Sequence, residues 1–130
     1  MSVKNPLELI MDSDVNIRHS IITDTEGNIK EVKHREGVTN YLSEDETKAS
    51  LKRAASAWKA RKLLKPKIGM GLYAVAAFEK ITRITFPLGD NHLLFVSLGS
   101  EKVRTDSNQG GQRDIIEHVI NILDGDPTTN

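Results

Sequence analysis

The chain has 130 residues, 38% of them hydrophobic, with eighteen Lys and Arg set against eighteen Asp and Glu. This length supports one domain with a core of its own, expected over residues 1–125, with a flexible tail at 126–130. The absence of cysteine excludes disulfide frameworks, thiolate metal sites and cysteine nucleophiles, and the balanced charge argues against a polyanion binder driven by net charge.

The first element in chain order is a short helix. Asn5 caps it, Pro6 takes its first position and Glu8 closes a capping box, with Leu7, Ile10 and Met11 on the apolar side. Residues 17–24 then read as a strand and 29–35 as its hairpin partner. Asp24-Thr25-Glu26-Gly27 suits a type I turn with Gly27 left-handed, a three-residue hairpin loop. That loop sets His19 opposite Lys33, whereas a two-residue loop would set it opposite His34; the first register is the expectation. Residues 29–35 carry charge on one face, which places this strand at a solvent-facing edge.

Residues 43–65 form the one long helical pattern. Ser43 and Glu46 make a capping box. Leu51, Ala54, Ala55 and Trp58 recur at helical spacing and form the buried stripe. Ala49, Ser56 and Ala60 fall on a separate small-residue face, which would let a partner helix approach closely, although alanine is also simply a good helix former. Pro66, Gly69 and Gly71 are expected to stop the helix. Its charges are ordered, with Glu44, Asp45 and Glu46 first and eight cations between Lys48 and Lys67 following. Part of that order serves the helix dipole. Lys48, Lys52, Lys59 and Lys62 also line up as one basic stripe, which reads as a solvated face or as a contact for an acidic protein surface. No aromatic residues are interleaved with it for base stacking, so nucleic acid is the weakest of these readings.

Residues 70–79 are apolar at consecutive positions, the mark of a strand covered on both faces, either in mid-sheet or at an interface. Residues 81–87 alternate, Leu88-Gly89-Asp90-Asn91 turns the chain, and 92–98 returns, so these three segments form an antiparallel meander. A polar stretch at 104–112 precedes a last helix over 112–124, which buries Ile115, Ile116, Val119, Ile122 and Leu123 and stops at Gly125. The fold class is α+β: a five-stranded antiparallel sheet, a long helix on the crossover, and a short helix at each end. A doubly wound nucleotide fold is excluded, because it needs repeated strand-helix-strand units.

Chemistry is sparse. His19 and His34 supply two ligands where zinc takes three or four, so no metal site is assigned. Lys67-Ile68-Gly69-Met70-Gly71 leaves a helix and enters a strand, the reverse of a phosphate cradle. Ser20, Ser97 and Ser100 lack a nucleophile elbow, and no carboxylate pair faces a common cleft. No cofactor and no enzymatic activity are expected. The first residues lack the order of a secretory signal and no stretch reaches eighteen apolar residues, so a cytoplasmic protein is expected, with no membrane partner.

The element order, with its long helix between a hairpin and a three-stranded meander, resembles the roadblock family and its longin and profilin-like relatives over residues 5–123. The words Arg35-Glu36-Gly37-Val38-Thr39-Asn40-Tyr41-Leu42, Glu79 to Pro87 and His92 to Ser97 also resemble a small archaeal family with no assigned activity. The roadblock resemblance implies a non-enzymatic homodimer that serves as a platform or regulator for small GTPases. It places the dimer interface on the 43–65 helix and the strand after it, here Ala49, Ser56, Ala60, Leu72, Ala74 and Ala76. The basic helix departs from a typical roadblock module. Two alternatives remain: a sensor of PAS-like type whose sheet cups a small molecule among Ile84, Phe86, Phe95 and Tyr73, and a nucleic-acid binder using cations 48–67.

Overall fold

The computed structural model describes residues 6–99 and 112–124. Its elements are α1 (Pro6–Ser13), β1 (Ile17–Asp24), β2 (Ile29–His34), α2 (Glu44–Lys62), α3 (Lys65–Ile68), β3 (Ala74–Ala77), β4 (Ile81–Leu88), β5 (His92–Gly99) and α4 (Gln112–Asp124). The five strands form one antiparallel sheet in the order β2-β1-β5-β4-β3. The expected Asn5 cap, the polar stretch at 104–111, the stop at Gly125 and the 126–130 tail lie outside the described residues.

Alternation along the strands divides the core into two layers. Ile84, Phe86, Leu94, Val96 and Leu98 point to one face, where Leu7, Ile10 and Met11 of α1 and Ile115, Ile116 and Val119 of α4 cover them. Ile122 and Leu123 are only partly buried there. Ile21, Leu93 and Phe95 point to the other face, under Leu51, Ala55 and Trp58 of α2. Phe95 therefore lies across the sheet from Ile84 and Phe86, while Tyr73 is 45% exposed. The PAS-like cavity expected among these four residues is not formed, because a pleat sends odd and even positions to opposite sides.

α2 starts as its sequence dictates. Ser43 Oγ accepts from the Glu46 amide at 3.1 Å and Glu46 Oε1 from the Ser43 amide at 2.9 Å, which satisfies two donors of the open first turn. The end differs from expectation. α2 stops at Lys62, and Pro66 does not halt the chain but sits in the first turn of α3, where a missing amide proton costs no hydrogen bond.

Two strand expectations are corrected. The three-residue loop is present: Gly27 has φ 87°, its amide donates to Asp24 O at 3.1 Å, and Asp24 N donates to Asn28 O at 3.0 Å. Asp24 Oδ1 also accepts from the Glu26 and Asn28 amides, so hydrogen bonds from Asn28 hold its carboxyl below the ordinary aspartate range. Thr23 then pairs with Ile29 but Ile22 with Glu31, so Lys30 is an extra residue, a bulge that shifts the register by one. His19 consequently faces His34 and not Lys33. The second correction concerns 70–79. β3 comprises only Ala74–Ala77 and lies at the sheet edge, not in mid-sheet. Just before it, Gly71 passes over Trp58 so closely that a Cβ there would stand 2.6 Å from Cζ3.

Arg35, just beyond β2, ties the first layer together. Its guanidinium donates to the carbonyls of Ile17 at 2.9 Å, Asp14 at 2.9 Å and Met11, so it occupies the open C-terminal end of α1.

Candidate functional site: the open edge of the sheet and the exposed side of α2

β3 pairs with β4 through Ala74↔Thr85, Val75↔Ile84, Ala76↔Arg83 and Ala77↔Thr82, and no described strand lies on its other side. An edge of this kind presents unpaired amides and carbonyls to any strand that meets it. It is also apolar. Of fourteen exposed large hydrophobic residues among those described, eight fall between positions 63 and 78: Leu63, Leu64, Ile68, Met70, Leu72, Tyr73, Val75 and Phe78. This concentration marks one strip and not a scatter of single residues. Pro87, which has no amide to donate, sits on β4 beyond the last β3 pair.

The residues expected at a dimer interface divide by position. Ala49, Ser56 and Ala60 are exposed on α2, on the side turned away from the sheet. Leu72 and Ala76 are exposed at the edge. Ala74 is partly buried and packs on the Leu51–Trp58 cluster of its own chain.

The basic stripe is partly engaged internally. Lys48 pairs with Glu44 at 3.2 Å, Lys59 with Glu26, and Lys62 Nζ donates to Asp90 O at 3.2 Å. Arg61 lies 4.9 Å from the Trp58 ring centroid. Exposed pairs of this kind contribute at most about 1 kcal/mol each, so they do not remove the cations from a partner's reach. A hollow of about 290 Å³ opens beside this half of the helix, lined by Trp58, Lys59, Lys62 and Lys65 and by the Gly89–Leu93 turn.

At the other half of α2, sequence reasoning missed a cluster. The bulge at Lys30 brings His19 Nδ1 to 2.6 Å from His34 Nδ1, with the rings edge to face. Burial, then His34, then the Arg18 and Arg83 guanidiniums hold the His19 pKa down at about 4. Burial likewise lowers that of Arg83. Alternating positions 19, 21, 81, 83, 95 and 97 in the sequence mark this face, but only the sheet order places them side by side. Cations around the imidazole pair disfavour a metal ion, and among the described residues no three His, Asp or Glu side chains converge on one point. No helix among the described residues is long and apolar enough to cross a membrane.

No family model matches the chain, and no curated protein matches it in sequence. Solved structures do match in shape. A roadblock/LC7 domain from Streptomyces avermitilis superposes with a TM-score of 0.64 at 11% identity, over 96% of this chain and 94% of that one. The gliding protein MglB from Thermus thermophilus gives 0.56 at 14% identity, over 96% of both chains. An MglB in a tetrameric arrangement gives 0.59 at 14% identity, over 92% of this chain and 96% of that one. These matches extend over nearly the whole length, and the chain has the roadblock/LC7 fold.

Proposed function

We infer that this chain is a non-enzymatic interaction module that pairs with a second copy through α2 and β3 and uses its remaining surface to bind a protein partner. The observation that carries this reading is the open β3 edge with the apolar strip from Leu63 to Phe78 beside it. Two such edges meeting antiparallel would satisfy each other's backbone groups and remove the strip from water. Ala49, Ser56 and Ala60 would let two α2 helices approach. An MglB relative in shape has a tetrameric arrangement, which accords with self-association. The roadblock resemblance makes a small GTPase the leading partner, and the cations Lys48, Lys52, Lys59 and Lys62 favour an acidic surface on it. Membrane and nucleic-acid partners have no comparable support.

Light scattering at tens of micromolar tests the pairing. The expected mass is twice 14.5 kDa, falling to a single chain in Val75→Lys, which sets like charges against each other at the shared edge. A strict monomer in the unaltered protein overturns the reading.

A further inference from the structure

Beside the first turns of α2, on the sheet face that carries Ile21 and Phe95, lies a hollow of about 390 Å³, within the size range of small-molecule sites. Its floor is Ile21, Phe95 and Ser97, its wall the His19–His34 pair, and its roof the Asn40–Leu42 segment. Two guanidiniums face it. Arg83 donates to Ser50 Oγ at 3.0 Å and lies 5.7 Å from the Phe95 ring, and among the described residues no carboxylate pairs with it. Arg18 donates to Thr39 O and stacks 4.9 Å from the Tyr41 ring, and its Nε is buried with no hydrogen-bond partner. The one acid on the lining among the described residues, Glu44, is exposed and lies nearest to Lys48, at 3.2 Å.

A cation withdrawn from water is costly unless an anion or several acceptors answer it. Here two guanidiniums and Lys48 share one hollow with a single, exposed acid. The hydrogen-bonding capacity left over includes the unpartnered Arg18 Nε and the Arg83 N–H groups not given to Ser50, donors of the type that suits the oxygens of a carboxylate or phosphate. The rest of the lining, with Ile21, Val32, Leu42 and Phe95, is apolar. The hollow on the Lys59–Lys65 side differs, since its cations, Lys59, Arg61, Lys62 and Lys65, are all exposed to water. From this arrangement we propose that the hollow beneath Tyr41 binds a small organic anion, its carboxylate or phosphate head between Arg83 and Arg18 and its apolar body against Phe95 and Ile21. The module then carries an effector site in addition to its protein-binding surface. The site is built from one chain, so it stands whether or not the protein pairs with a second copy.

The test is an amide NMR titration of the full chain with phenyl phosphate and phenylacetate, which carry one ring type on the two heads, and with benzyl alcohol as the neutral counterpart. Saturable shifts at residues 18–21, 81–85 and 95–97 with at least one of the anions, absent with benzyl alcohol, are expected. In Arg83→Gln the affinity should fall roughly ten-fold or more. Arg18→Gln gives the same readout should the first variant lose its dispersed spectrum. Shifts confined to the Lys59–Lys67 tract, equal binding of benzyl alcohol, or unchanged affinity in a folded Arg83→Gln protein would each overturn the proposal.

Discussion

Trp58 Nε1 donates to Thr85 Oγ1 at 3.0 Å, a buried hydrogen bond that joins the long helix to the sheet it covers. The indole is the largest side chain on the α2 face, and Thr85 is the β4 residue that lies between Phe95 and Ala74 in the ladder. Thr85→Val keeps the shape and removes the acceptor, so the indole N–H is left buried and unsatisfied. The expected cost is about 1–3 kcal/mol. Urea unfolding monitored by Trp58 fluorescence measures it, and an unchanged midpoint would show that the bond contributes nothing net.

Gly27 joins the first hairpin to the same helix. Its φ of 87° disfavours any L side chain, and a Cβ there would stand 2.8 Å from Lys52 Cα, a backbone atom that cannot swing aside. Gly27→Ala therefore combines left-handed strain with overpacking, an expected loss of about 2–5 kcal/mol. Gly37, also at positive φ but with nothing within 4 Å of its Cβ position, should lose only the conformational part. Thermal melts of the two variants side by side separate the contributions.

The partly buried His19 makes stability depend on pH. Burial is the main cause of the low His19 pKa of about 4, against an ordinary 6.5. The unfolded chain takes up this proton near pH 6.5 and the folded chain only near pH 4, so stability is full above 6.5 and declines as pH falls through that window. The imidazole is half-exposed, and solvent screening limits the loss to about 1–2 kcal/mol. In His19→Gln the melting temperature should vary less between pH 6.5 and 4 than in the unaltered protein. Parallel curves for the two proteins would contradict the assignment.

The hairpin shows how far local reading extends. Asp24 and Gly27 specify a three-residue loop through an Asx hydrogen bond and a left-handed glycine, interactions that reach no further than four residues. The bulge at Lys30 does not follow from those rules. One inserted residue reverses which side chains of β2 face those of β1, and with it whether the two histidines meet. For the 70–79 segment the sequence left mid-sheet and interface open, and the fold makes Ala74–Ala77 an edge strand. A continuous apolar run does not by itself say which elements of the chain lie against it.

The sequence by itself determined three of the helices, the Ser43–Glu46 cap, the loop at Gly27 and the division of apolar residues between two faces, because each rests on periodicity or on hydrogen bonds within one turn. Only the tertiary structure decided that β1 lies beside β5, that β3 is an open edge, and that Arg18, Arg83 and two histidines share one hollow. Those outcomes depend on contacts between residues far apart along the chain, whose strength comes from packing the whole sheet at once and leaves no local pattern behind.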